Sequence, residues 1–544
     1  MGARKIEEYL EVEAQDIPSK VSEITSKGYQ HLVTITGLDE GENIGLIYHF
    51  SKPSGETIHI KTSVKKHGSL PSIVDVIRGA YIYEMEVHDM FGIIFDNNQW
   101  MKYKLLLPDC YPLDEPPPLW KEADPDKIRK KLYEATSAAC TLTEPISGTS
   151  MFSPESVVVP FGPYHPALKE PEHFRLVVEG ERIVQAIPRI GFVHRGIEKA
   201  AERRSFLRDI FLLERICGIC SMHHSWTFVE AVEKLLGLEI DKRAVYIRTL
   251  VAELERIYSH SLWLGLVGYW MGFETMFMWV WSIRENIMDL LELIAGNRVH
   301  KSIVTIGGVR RDVSDEKLGR IKEKVASFEK RFTEVMDDIL TLDEFIARTS
   351  GIGKYNLDTA RKLCVVGPPR RAVGDGYDIR KIEPYGAYEE VDYSVITDMG
   401  GDVYSLVKVR MLEILESTRI IQQIIEKMPS GNPVPKRAFM GTVPKGEAYA
   451  RTEAPRGELF YYVSADNKHN PSRVKVRTPT LANITLAAEA LKGQTLSDVP
   501  LVITMIDPCF SCMDRVLVID RSSKSSRVLD ERYFRRIRRK GGIR

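Results

Sequence analysis

The sequence predicts a multidomain chain: a small α/β (α+β) N-terminal domain, then a large, mainly α-helical domain with small β elements. Three observations carry that prediction. At 544 residues the chain is too long for one ordinary core. Its first 110 or so residues hold short strand-like runs, one with apolar residues at a period of two. From about residue 155 onward, apolar residues recur at helical spacing. The composition, 44% hydrophobic and 28% charged, is that of a soluble globular protein. Lys+Arg and Asp+Glu balance at 75 each, so a global basic footprint for nucleic acid is absent.

The opening segment, MGARKIEEYLEVE, has no apolar core of the kind a signal peptide carries. His31–Thr36, Asn43–Phe50 and Thr57–Val64 read as strands; Ile58, Ile60, Thr62 and Val64 alternate in the last. Ser69-Leu70-Pro71 resembles a helix start, with Ile73, Val76, Ile77 and Ala80 as its apolar stripe. Residues 108–120 are Pro-rich and read as a stiff connector. The first domain thus spans 1–120, and a Pro-rich and charged linker covers 121–154. The large domain, 155–515, follows. Phe228, Ala231, Val232, Leu235 and Leu236 form one helical stripe, ended by Gly237. Ile247, Leu250, Val251, Leu254, Ile257 and Tyr258 form another, and 281–300 and 313–347 continue the pattern. Leu262–Trp281 is apolar and long enough to cross a bilayer, but it contains Glu274 and no second span follows; a buried helix is the expectation. The extension 516–544 carries ten Lys/Arg against three Asp/Glu, which suits an anionic partner or a solvated end.

Seven cysteines, an odd and sparse set, argue against a secreted disulfide framework. Four form two C-x-x-C pairs, Cys217/Cys220 and Cys509/Cys512, nearly 300 residues apart. Each pair can turn two thiolates toward one point, and four thiolates suit zinc, nickel or iron. Spacing alone leaves a structural zinc, an iron–sulfur cluster and a catalytic nickel or iron site open.

The flanking residues carry a resemblance. Arg215-Ile216-Cys217-Gly218-Ile219-Cys220, followed by His224, resembles the proximal signature R-x-C-G-x-C-x-x-x-H of nickel–iron hydrogenase large subunits. Asp507-Pro508-Cys509-Phe510-Ser511-Cys512-Met513-Asp514-Arg515 resembles their distal signature. His194-Arg195-Gly196-Ile197-Glu198 resembles the R-G-x-E element, and Glu453-Ala454-Pro455-Arg456-Gly457 the loop over the active-site iron. Gly307–Asp312 and the set Arg371, Gly374, Asp378 and Arg380 resemble signatures shared with the quinone-site subunit of complex I. Tyr83–Ile93, with Leu106–Asp109, resembles the small peripheral-arm subunit of complex I. Together these resemble the large subunit of formate hydrogenlyase and related complex-I-like hydrogenases. Without the family, Glu84, Glu86, His88 and Asp89 read as a metal cluster or as docking and capping residues.

The resemblance implies a hydrogenase large-subunit-like fold and a set of roles. Cys217 and Cys509 would be terminal nickel ligands, and Cys220 and Cys512 would bridge nickel and iron. The iron would carry carbon monoxide and cyanide, in a dry pocket formed by Pro455, Arg456, Pro479 and Thr480. Cys509 would be the first proton acceptor and Glu170 the carrier beyond it; without the family, Glu170 reads as a solvated loop residue. Glu198 resembles the carboxylate that orders a magnesium or iron ion. The distal motif ends in Arg515, not His, and arginine cannot ligate a metal, so an ion pair is the other reading of Glu198.

The implied function is reversible interconversion of hydrogen with protons and electrons, linked to formate, carbon monoxide or ferredoxin. The alternatives are a complex-I-like NADH/quinone or sulfur oxidoreductase subunit without nickel, and a scaffold with structural zinc. No cysteine set remains for an iron–sulfur cluster, so electrons would leave through an iron–sulfur small subunit. Membrane ion-translocating complex-I-like subunits, a maturation endopeptidase cutting after Arg515, and a peripheral place on the cytoplasmic face of the membrane complete the implied setting.

Overall fold

The computed structural model describes residues 3–108, 110–112, 114–136, 155–163, 165, 168, 170–509, 517–520 and 525–528. Cys512, Arg515 and the expected cleavage point lie outside the described residues. Within the basic extension, Leu517–Asp520 and Ser525–Val528 pair antiparallel.

In the N-terminal part, strands His31–Asp39, Asn43–Ser51 and Thr57–Lys65 run antiparallel, and Leu10–Glu11 pairs parallel to the last. The three expected strands lie inside these. The helix expected from Ser69 does not form there. Ser69–Pro71 is a short strand paired with Ile94–Asp96, and the helix spans Ala80–Phe91. The buried Glu84 carboxylate explains the shift: it accepts from the Ile73 N–H and the Ser72 hydroxyl, holding 72–77 as a turn. Apolar spacing at 73, 76, 77 and 80 reports burial there, not helix. In the expected linker, Pro125–Thr136 is helical, and just before it, in the Pro-rich connector, Leu119 and Trp120 are buried.

The large part centres on four packed helices: Lys242–Trp270, Glu274–Ala295, Asp315–Leu340 and Val403–Glu426. The apolar run Leu262–Trp281 is therefore not one buried helix. It breaks at Gly272, whose φ of +75° lets the chain reverse into a hairpin. Tyr269, Met278 and Trp279 are exposed at its tip. Among the described residues, no helix is long and apolar enough to cross a membrane.

A four-stranded sheet packs on helix Ser221–Leu236, in the order Ala3–Lys5, Gly446–Ala454, Gly457–Ala465, Arg473–Arg477. Its edge strand comes from the start of the chain. A three-stranded sheet holds Val157–Phe161, His173–Glu179 and Arg182–Arg189. One continuous apolar core runs from Ile17 to Ile506, so packing does not break at the expected boundary near residue 120.

Candidate metal centre

The first cysteine pair sits in the loop between helices Phe206–Glu214 and Ser221–Leu236. Cys220 caps the second helix, and the Cys217 Sγ accepts from the N–H groups of Ile219 (3.3 Å) and Cys220 (3.2 Å). Unsatisfied N–H groups at a helix start need acceptors. Here Glu255, from the neighbouring long helix, supplies one. It accepts from Met222 N (2.8 Å), His223 N (3.2 Å) and His223 Nδ1 (2.6 Å), and it pairs with Lys301 at 2.9 Å. The motif's His224 hydrogen-bonds through Nδ1 with the Tyr461 hydroxyl (2.7 Å), and burial pushes its pKa down to about 3, so it is a neutral structural residue.

The second motif leaves helix Val499–Met505 through Asp507, a buried residue at φ +49°. That turn brings Cys509 back across the fold: its Sγ lies 2.9 Å from the Cys217 Sγ. The Cys509 N–H donates to the Thr480 Oγ1 at 3.2 Å. Thr480 is in the first turn of helix Pro479–Ala490, where proline costs no hydrogen bond.

Arg456 stands at the tip of the hairpin Gly446–Ala454/Gly457–Ala465 and is 3% exposed. It donates from Nε to the Asp507 carbonyl (2.7 Å), from Nη2 to Asp507 Oδ1 (3.1 Å), and from Nη1 to the Cys220 Sγ (2.9 Å) and Ser259 Oγ (3.4 Å). Asp507 also pairs with Arg410 at 3.3 Å, whose guanidinium lies over Trp263. Burial opposes the charge of Arg456, but Asp507 and the three sulfurs outweigh it and hold the guanidinium firmly protonated. The Cys217 thiol is pushed well up, chiefly by its hydrogen bond with Cys220, while Cys509 works the other way. Thiolates packed this closely need a cation to stay charged, and a bound metal supplies one.

The structure thus brings together Cys217, Cys220, Cys509, Arg456 and Thr480. Among the described residues, no group of three or more His, Cys, Asp or Glu side chains converges as a complete ligand set. The fourth cysteine, Cys512, is not among them. Pro455 and Pro479 are buried beside Arg456 and Thr480. Glu170 is half-buried in the loop joining Val157–Phe161 to His173–Glu179.

Among the described residues, Glu198 joins no group of three or more His, Cys, Asp or Glu that could hold a metal; its carboxylate is in ion pairs. Oε2 pairs with Arg473 at 2.7 Å, and Oε1 accepts from Val476 N at 2.9 Å with Lys475 at 3.7 Å. The N-terminal acids form no metal-binding group among the described residues. Asp89 accepts from the N–H groups of Leu105, Leu106 and Leu107, Glu84 caps the turn described above, and Glu86 pairs with Lys475. Arg371 and Asp378 join a buried network: Arg371 binds Glu413 and Glu453, each at 2.7 Å, and Asp378 binds Arg380 at 2.7 Å. Sequence reasoning missed Glu255, Ser259 and Arg410. Only the burial expected of their helix faces could have flagged them, since charged residues on a buried face need partners.

Comparison with known proteins places these features. The family model "Respiratory-chain NADH dehydrogenase, 49 Kd subunit" matches residues 271–441 and 438–515, its 30 Kd counterpart matches 10–128, and "Nickel-dependent hydrogenase" matches 195–265. The membrane-bound hydrogenase subunit alpha of Pyrococcus furiosus is 38% identical, over 68% of this chain and 90% of its own length. Formate hydrogenlyase subunit 5 of Escherichia coli is 34% identical, over 88% and 83%. A solved chain of the membrane-bound sulfane sulfur reductase, an archaeal respiratory membrane complex, matches with a TM-score of 0.64 and 33% identity, over 68% of this chain and all of that one.

Proposed function

Because the chain belongs to the complex-I-related family of nickel-dependent hydrogenase large subunits, we propose that Cys217, Cys220 and Cys509, with Cys512, hold a nickel–iron pair. The chain is a hydrogenase oxidoreductase of that membrane-associated class. The observation that carries the ligand assignment is the meeting of Cys509 with Cys217, 2.9 Å apart from motifs at opposite ends of the large domain. The donor chemistry fits: soft thiolates suit nickel and iron. The iron would carry carbon monoxide and cyanide. When bound, the metal pair supplies heterolytic cleavage of hydrogen and its reverse.

The chain's own residues do the rest. Asp507 fixes Arg456 through two hydrogen bonds, so that its third donor, Nη1, faces Cys220 and the reacting side. A guanidinium cannot lose its proton there, so it contributes fixed positive charge and oriented N–H groups. Pro455 and Pro479 are buried and limit water beside Arg456, which strengthens that field. Thr480 anchors the Cys509 backbone. Glu170 would carry protons from Cys509 toward solvent. Electrons would leave through an iron–sulfur small subunit, and membrane subunits related to complex I would use their energy. We place the chain peripherally, on the cytoplasmic face, with an endopeptidase trimming residues 516–544 after Arg515. The N-terminal 1–120 segment would act as the fused peripheral-arm unit.

The test is exchange of deuterium gas with water protons by the purified complex, which needs no electron partner. Exchange that is lost in Cys509→Ser is expected. Wild-type complex that exchanges nothing but reduces a quinone or sulfane sulfur would contradict the proposal and favour the reading that the reductase likeness suggests.

A further inference from the structure

A cavity of about 110 Å³ lies behind Cys509. Its lining includes Cys509 and Thr480 together with Glu86 and Glu198. Glu86 comes from helix Ala80–Phe91 of the N-terminal part, far in sequence from everything else at the centre. It is 8% exposed, and its Oε2 has no hydrogen-bond partner among the described residues, while Oε1 is paired with Lys475. A buried carboxylate oxygen left open in this way is costly unless water or a proton reaches it. A cavity of this size has room for several waters.

Glu86 and Glu198 share Lys475, yet their settings differ. Burial raises the proton affinity of Glu86, the charge of Glu198 adds to this, and Lys475 offsets it only in part. For Glu198, burial is outweighed by Arg473 and Lys475, which hold it low. Neighbouring carboxylates whose environments push them apart divide into one that stays ionised and one that takes the proton. The other titratable or charged side chains lining the cavity, among the described residues, are His194, Arg195 and Lys199. His194, Arg195, Gly196 and Lys199 also line a second cavity of about 480 Å³, reaching the exposed Arg129, Arg203 and Arg204.

We propose that Glu86 is a proton carrier for the cysteine centre, receiving protons across this cavity and releasing them through the second one to solvent. A protonated water in the cavity gives its proton to the Glu86 Oε2, forming an O–H bond and leaving neutral water. Lys475 keeps its charge, and no electron moves. The same O–H bond then breaks toward water on the His194 side. The N-terminal segment is thereby part of the reaction path and not only a docking arm. This rests on the hydrogenase reading above.

The test uses the purified complex with Glu86→Gln and Glu86→Asp. Deuterium exchange is expected to fall about 100-fold in Glu86→Gln, with loss of a pH step that wild type is expected to show and partial recovery in Glu86→Asp. On the same complex prepared without nickel, infrared difference spectra between two pH values should show a carboxyl band that shifts in deuterated water. That band should vanish in Glu86→Gln and move in Glu86→Asp. Wild-type exchange with an unchanged pH profile in Glu86→Gln would overturn the proposal. If Glu86→Gln does not assemble, an unmoved band in Glu86→Asp overturns it. Absence of exchange in the wild type would defeat the hydrogenase reading instead, and the infrared band would still report whether Glu86 takes up the proton.

Discussion

Arg456 makes contacts that no other residue could reproduce. Its planar fork spans the Asp507 carbonyl, the Asp507 carboxylate and the Cys220 sulfur at once. A lysine carries the same charge on one nitrogen and cannot reach all three. Arg456→Lys should therefore keep its metal while losing about 100-fold in exchange rate, the typical cost of removing an oriented donor. Metal content and exchange measured on one preparation check this; an unchanged rate would show that charge alone suffices. At this scale the sequence was informative where a motif is local. Cys217, Cys220, Cys509 and Arg456 stand in short patterns, and the structure brings them together. Ser259 and Arg410 were not legible, because their partners Arg456 and Asp507 are distant in the chain and neither stands in a pattern. Glu198 was legible only as a choice between metal and ion pair; its partners Arg473 and Lys475 come from a strand nearly 280 residues on, which no local pattern discloses.

At the scale of elements, the Arg456 hairpin tip is placed by backbone-to-backbone contact. A Cβ on Gly367, at φ +71°, would lie 2.4 Å from the Gly457 Cα and 2.5 Å from the Arg456 carbonyl oxygen. Gly367→Ala should push that tip away, costing about 1–3 kcal/mol and lowering exchange together with thermal stability. A melt and an exchange assay check it; wild-type values in both would show that the close approach is dispensable. Elements with a clear period were read correctly from sequence, such as the helix ended by Gly237 and the strand with alternating Ile58, Ile60, Thr62 and Val64. The errors fell where burial lacks period. In 262–281 both arms of a hairpin are apolar, so hydropathy ran across the turn at Gly272. Around Ser69, an acid eleven residues on from Ile73 fixes a turn, which no local pattern discloses.

For the whole molecule, the two expected segments do not pack as separate bodies. Ala3–Lys5 completes the sheet that carries Arg456, one apolar core spans both parts, and the buried pairs His31–Glu458 (3.0 Å) and Glu86–Lys475 cross between them. Sequence reading sees composition along the chain, and so it marks a Pro-rich boundary without seeing what packs across it. The consequence is functional: the N-terminal part shares the sheet, the core and a cavity wall with the cysteine centre. The central claim, that this whole assembly exists to hold a nickel–iron pair between the two motifs, is tested most directly on the purified native complex. The measurement is elemental analysis of nickel and iron, with infrared spectra for metal-bound carbon monoxide and cyanide. Stoichiometric nickel with those bands, both lost in Cys509→Ser, is the predicted result. Zinc, or no metal, on native material without the bands would contradict it and leave the four cysteines structural or vestigial.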